Sequence, residues 1–133
     1  MYQIQISSDE ILDRSLILQL KARLMQNPEK RTIAQQQLDA LRKAGEPLYR
    51  KLSQDPVLQR LADDLYACHQ HLWDTEEFLR QVEAANGPFD EKFVTAARNV
   101  YKLNDRRHEL RTLIAKHLGE AGEVKEYLIK KSV

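Results

Sequence analysis

Cysteine, glycine, proline and tryptophan are all scarce here: one, four, four and one among 133 residues. The single thiol, Cys68, excludes an internal disulfide and fits a reducing compartment. The few glycines form no phosphate-cradling loop, since Gly119 and Gly122 follow a predicted helix rather than precede one. Excess charge of either sign is missing too. The 21 basic and 20 acidic side chains leave a formal +1, which removes the case for a polyanion-binding surface. No run approaches the ~18 uncharged apolar residues needed to span a bilayer. Met1 to Glu10 lacks the basic-then-apolar order of a secretory signal. The expected location is cytoplasmic, and neither nucleic acid nor a membrane is expected as partner. No Ser or Cys stands beside a base in a nucleophile motif, and no cofactor or metal is implied.

What is present is a globular pattern: 42% hydrophobic and 31% charged residues, without repeats or low-complexity tracts. The chain reads as one all-α domain over 1–133. Ser7 with Glu10 has the spacing of a capping box, so a first helix is expected from about Ser8 to Gln26. A short extended arm over Gln3 to Ile6 precedes it. Asn27-Pro28 and Asp55-Pro56 each place a cap before a proline at the first helical position. A second helix therefore starts at Pro28, is broken by Gly45-Glu46-Pro47, and leaves a short segment through Leu52. A third runs from Pro56 to about Ala85, where Asn86-Gly87-Pro88 ends it with Gly87 in a left-handed cap. Asp90 caps a fourth that reaches about Leu118. The tail from Glu123 is ambiguous between a helix and a docked extended segment. Short connections make neighbours antiparallel, so the expected architecture is an elongated antiparallel bundle of about four helices.

Helical periodicity then exposes a conflict. The third helix carries an apolar stripe of Leu58, Leu61, Leu65, Cys68, Leu72, Leu79 and Val82, yet Glu76 lies within it. The fourth interrupts Phe93, Ala97 and Val100 with Asn104, Arg107 and Arg111 before Ile114 and Leu118. The first has Asp13 beside Ile17 and Leu20. A buried unpaired charge costs several kcal/mol, so these groups must meet one another or line a cleft. Asp13 and Glu76 are available to oppose Arg107 and Arg111, with Tyr101, Arg14, Glu10, Lys21, Asp105 and Trp73 within a turn of them.

Three readings stay open. The charges form an ionic network that fixes register. They line a site for an anionic small molecule such as a sugar phosphate or nucleotide sugar. Or the face is a protein–protein surface. Cys68 reads as an inert core thiol, because it lies on the apolar stripe. His69 and His71 point about 200° apart at the helical 100° per residue, so they cannot share a metal. His108 is the better titratable candidate by its nearness to the polar stripe. Apolar residues nearly encircle the first helix, which must therefore be covered on two sides. That feature points to a homodimer or another protein partner.

Three stretches together resemble a family of small bacterial all-helical proteins known only as a domain of unknown function. They are Ile6-Ser7-Ser8-Asp9-Glu10-Ile11-Leu12-Asp13-Arg14 on to Leu18 and Lys21; Leu72-Trp73-Asp74-Thr75-Glu76; and Phe89-Asp90 with Phe93, followed by Ala97-Arg98-Asn99-Val100-Tyr101-Lys102-Leu103-Asn104-Asp105-Arg106-Arg107 and the closing Glu123, Lys125 and Tyr127. The resemblance implies an accessory or interaction role linked to glycan or cell-envelope biosynthesis, and it assigns no catalytic residues. The shorter stretch Asp13 to Arg23 is also similar to the opening helix of all-helical chorismate mutases, which bind a dicarboxylate inside a bundle. In those enzymes the helix continues where Asn27-Pro28 interrupts this one.

Overall fold

A computed structural model describes residues 1–122 and 124–126 of the chain. Five helices follow one another, with no strand among the described residues: α1 (Ser8–Leu24), α2 (Pro28–Ala44), α3 (Glu46–Leu52), α4 (Pro56–Ala84) and α5 (Glu91–His117). The short segment expected after Gly45 is thus a helix of its own. Residues 1–7 and 124–126 have no regular secondary structure. Most of the ambiguous tail, including Glu123 and Tyr127, lies outside the described residues.

Three of the four expected caps form. Asn27 accepts from the amides of Glu29 and Lys30, Asp55 from Leu58, and Asp90 from Phe93, at 2.9 to 3.2 Å. The fourth does not. Ser7 stands at the N-cap of α1 without a side-chain bond. The Ser8 amide instead donates to Glu120 Oε1 at 2.9 Å, and Glu10 turns outward to Arg14. A distant carboxylate has replaced the local box, and it ties the start of α1 to the segment after α5. At the other end of α5's hairpin, Asn86 and Gly87 both adopt positive φ, 56° and 112°, and the Gly87 amide donates to Val82 O at 2.9 Å. This left-handed exit turns the chain back into α5.

α4 and α5 form a long hairpin of 29 and 27 residues, each about 40 Å at 1.5 Å per residue. α1 packs against both, and α2 covers the other side of α1. The second apolar face of α1 is therefore covered within the chain. Gly45 makes that approach close, because a Cβ there would stand 3.1 Å from Ile11 Cγ2. The core gathers Leu12, Leu48, Leu58, Leu65, Cys68, Leu72, Leu110 and Ile114. Each fully buried leucine contributes roughly 1.5–3 kcal/mol. Cys68 belongs to this core: its thiol donates to Leu103 O at 3.3 Å, and burial pushes its pKa up. All of these buried residues lie at or before Thr75 or at or after Leu110, and no residue from 76 to 109 is buried.

Candidate functional site

α1 presents two aspartates one turn apart, Asp9 and Asp13, on the face that carries Leu12 and Leu20. α5 presents two arginines one turn apart, Arg107 and Arg111. The helices run in opposite directions, so the pairs mesh. Arg107 Nε donates to Asp13 Oδ1 at 2.9 Å and its Nη2 to Oδ2 in a bidentate clasp. Arg111 Nε donates to Asp9 Oδ2 at 2.9 Å, while its Nη1 stands 3.8 Å from Asp13 Oδ2. α4 adds His69, whose Nε2 lies 2.7 Å from Asp13 Oδ1. Asp9, Asp13, His69 and Arg111 are all buried.

The electrostatics follow from this geometry. Burial pushes the Asp13 carboxyl up, but the bonds from Arg107 and His69 outweigh it and hold the group well below the usual carboxylate range. It is therefore an ionised, acceptor-only group. Asp9 is sealed from solvent, and its Oδ1 has no hydrogen bond among the described residues. Its place in the first turn of α1 sets the carboxylate against the positive end of the helix dipole. On the flank of the network, Ser15 Oγ donates to Ile11 O at 2.6 Å and its hydroxyl meets that of Tyr49, joining α1 to α3.

Beside this dry network lies a cleft of about 230 Å³ between α1, α4 and α5. Ile17, Leu20 and Leu72 supply its apolar wall. Lys21, Trp73, Glu76, Asn104, His69 and Arg107 supply the rest. Arg107 joins the two regions: its side chain is 30% exposed, against 3% for the Asp13 that it clasps. Neither Lys21 nor Glu76 makes a side-chain hydrogen bond or ion pair among the described residues.

The eleven residues expected at a site thus divide three ways. Asp13, Arg107 and Arg111 meet in the network. Lys21, Trp73, Glu76 and Asn104 line the cleft with Arg107. The remaining four lie elsewhere. Glu10 pairs with Arg14 at 2.7 Å on the surface of α1, and Arg14 also borders an apolar groove of about 650 Å³ between α1 and α2. Tyr101 is exposed, and Asp105 accepts from Lys125 at 3.5 Å. Glu76 does not oppose the arginines. It lies seven residues beyond His69, about 10 Å further along α4, above the plane in which the charges meet.

Two members of the buried network escaped the sequence reading. Asp9 is one turn before Asp13 on the same face. His69 is four residues after Leu65 and three before Leu72, so it belongs to the buried stripe that also holds Cys68. His108, the histidine favoured by sequence, is half-buried on α5 and does not line the cleft. Among the described residues no three His, Cys, Asp or Glu side chains converge as a metal-ligand set, and no helix is long and apolar enough to cross a membrane. No family model, curated protein or solved structure matches the chain.

Proposed function

We propose that this chain is a binding module that holds a small polar molecule in the cleft between α1, α4 and α5. One observation carries the reading. Two oppositely charged side chains, Lys21 and Glu76, border the same recess as Trp73, and neither bonds to the other or to any other described side chain. The network behind them fixes the three helices by buried directional contacts, so the recess is formed before a ligand arrives. Such preorganisation lowers the ordering cost of binding. Sugar phosphates and nucleotide sugars belong to the range of ligands to be tested, and the proposal includes a cytoplasmic setting. A thermal-shift screen against neutral sugars, sugar phosphates and nucleotide sugars tests it. The expected hit is lost in Trp73→Ala and kept in Arg14→Ala, which alters only the α1–α2 groove and the surface pair. A screen without hits, or hits indifferent to Trp73, would contradict it.

The hairpin tip favours a second role as an accessory or interaction domain, in line with the glycan-linked family that the sequence resembles. Phe78, Phe89 and Val94 are exposed there, and Tyr101 lies further down α5. Aromatic residues of this kind are enriched at protein interfaces. Sedimentation at micromolar concentration tests whether a second copy covers them: a dimer that reverts to monomer in Phe89→Ser supports the role, and a wild-type monomer removes the homodimer.

A further inference from the structure

We infer that the cleft takes a neutral polyhydroxylated molecule the size of a single sugar ring, and not a phosphorylated one; the inference rests on the cleft being a ligand site.

The charges decide against phosphate. Arg107 and Arg111 are clasped to Asp13 and Asp9, so their charge is already answered by carboxylates. The remaining cation of the cleft, Lys21, shares it with the carboxylate of Glu76. A phosphate carrying up to two negative charges would meet one ammonium group and one repelling carboxylate. Nor does a helix N-terminus open onto the cleft. Its lining comes from residues 17–21 of α1, 69–76 of α4 and 104–107 of α5, all inside their helices. The free amides that bind phosphate at helix starts are therefore absent from its walls.

The hydrogen-bonding capacity decides for hydroxyl groups. Asp13 is ionised and can only accept, so the proton in its bond to His69 belongs to Nε2. Nδ1 is then the ring nitrogen left to a ligand, an acceptor in the neutral ring and a donor in the imidazolium. Nδ1 makes no hydrogen bond among the described residues, and it is not among the side-chain atoms sealed from solvent without a partner. It therefore reaches open space, and the open space that His69 borders is this cleft. Asn104 gives its Nδ2 to Val100 O at 3.1 Å, and its Oδ1 accepts from no described donor. Glu76 adds a carboxylate. Two acceptors, one ammonium donor and a ring nitrogen suit a ligand that brings several O–H groups, since a hydroxyl both donates and accepts. Trp73, beside Leu20 and Leu72, offers an apolar wall for the C–H face of a ring. The volume, about 230 Å³, lies below the ~300 Å³ at which drug-sized pockets begin. A sugar nucleotide would have to extend out of it into solvent.

Amide and indole NMR of the full chain, titrated to millimolar ligand, tests the inference. The probes are D-glucose, D-galactose, D-mannose and N-acetylglucosamine, with glucose 1-phosphate and inorganic phosphate as comparators. At least one neutral sugar should shift the Trp73 indole signal. Glu76→Gln, a half-buried change that should leave the melting temperature unaltered, should weaken that sugar at least about tenfold, the loss of one charged hydrogen bond. Weaker binding of glucose 1-phosphate than of glucose also supports the inference, because the phosphate then meets the Glu76 carboxylate. If the phosphorylated sugar or phosphate alone binds at Trp73 as tightly as the neutral sugar or tighter, the ligand class falls while the site stands. If no probe moves Trp73, and the wider thermal-shift screen is also silent, both fall. Independently, ¹⁵N shifts of the His69 ring should show hydrogen on Nε2; a ring with its hydrogen on Nδ1 alone would overturn the assignment of Nδ1 as the nitrogen left to a ligand.

Discussion

The root and the tip of the α4–α5 hairpin are built from the same two helices but held in different ways. At the root, α1 lies against both helices, and every layer contributes buried side chains. Leu65, Leu110 and Ile114 are almost wholly enclosed, and Asp9, Asp13 and Arg111 are enclosed with them. At the tip there is no third helix. Leu79, Val82, Phe93, Ala96 and Val100 are only half-buried, and the turn is braced by an edge-to-face pair of Phe89 and Phe93 with centroids 5.1 Å apart. The difference teaches where specificity comes from. Apolar packing alone tolerates sliding of one helix past another. Two carboxylates meshing with two guanidinium groups define one register, because a one-turn slip would strand a charge in the dry interior.

The comparison can be broken most severely at Arg111. Arg111→Ala leaves Asp9, sealed from solvent, without its cation. The expected loss is about 3–5 kcal/mol in urea unfolding, and a loss below about 1 kcal/mol would show that the network is not dry. Apolar truncation sharpens the same contrast. Leu65→Ala at the root should cost about 2–5 kcal/mol and Leu79→Ala at the tip about 1 kcal/mol, measured in one series of unfolding curves.

A pH series isolates one carboxylate. The Asp13 carboxyl is held below its ordinary 3.8 in the folded chain. As pH falls, the unfolded chain takes up this proton first, so the contribution is complete above about pH 5 and drains away as pH drops through 3.8. Asp13→Asn should flatten that acid limb, and an unchanged limb would place the acid sensitivity elsewhere. The mildest probe is hydrogen exchange. Amides between residues 76 and 100 should exchange by local opening, faster than those around Leu65 and Ile114, while uniform protection would make hairpin and root one cooperative unit.

The parts readable from sequence are those governed by local chemistry. Asn27, Asp55 and Asp90 cap because their side chains reach amides two or three residues ahead, and no tertiary contact competes. Ser7 and Glu10 had the same local pattern, but Glu120 took the Ser8 amide, and nothing in the spacing of residues 7–10 announces a partner more than a hundred residues away. Asp13, Arg107 and Arg111 stood out because they break an apolar period. A helical wheel gives angle and not height, so it put Glu76 with the arginines although it lies about two turns too far along α4. It also passed over His69 and Asp9, since a histidine on an apolar stripe and an acid in a first turn are both ordinary by local rules. The division between a sealed network and an open cleft is a property of three helices in contact, which no single helix encodes.

That division is tested most directly by urea unfolding of Arg111→Ala and Glu76→Gln side by side at neutral pH. The account predicts a loss of about 3–5 kcal/mol for the first and a change within about 0.5 kcal/mol for the second. Equal losses would mean that Glu76 belongs to the structural network and that the cleft is only part of the core.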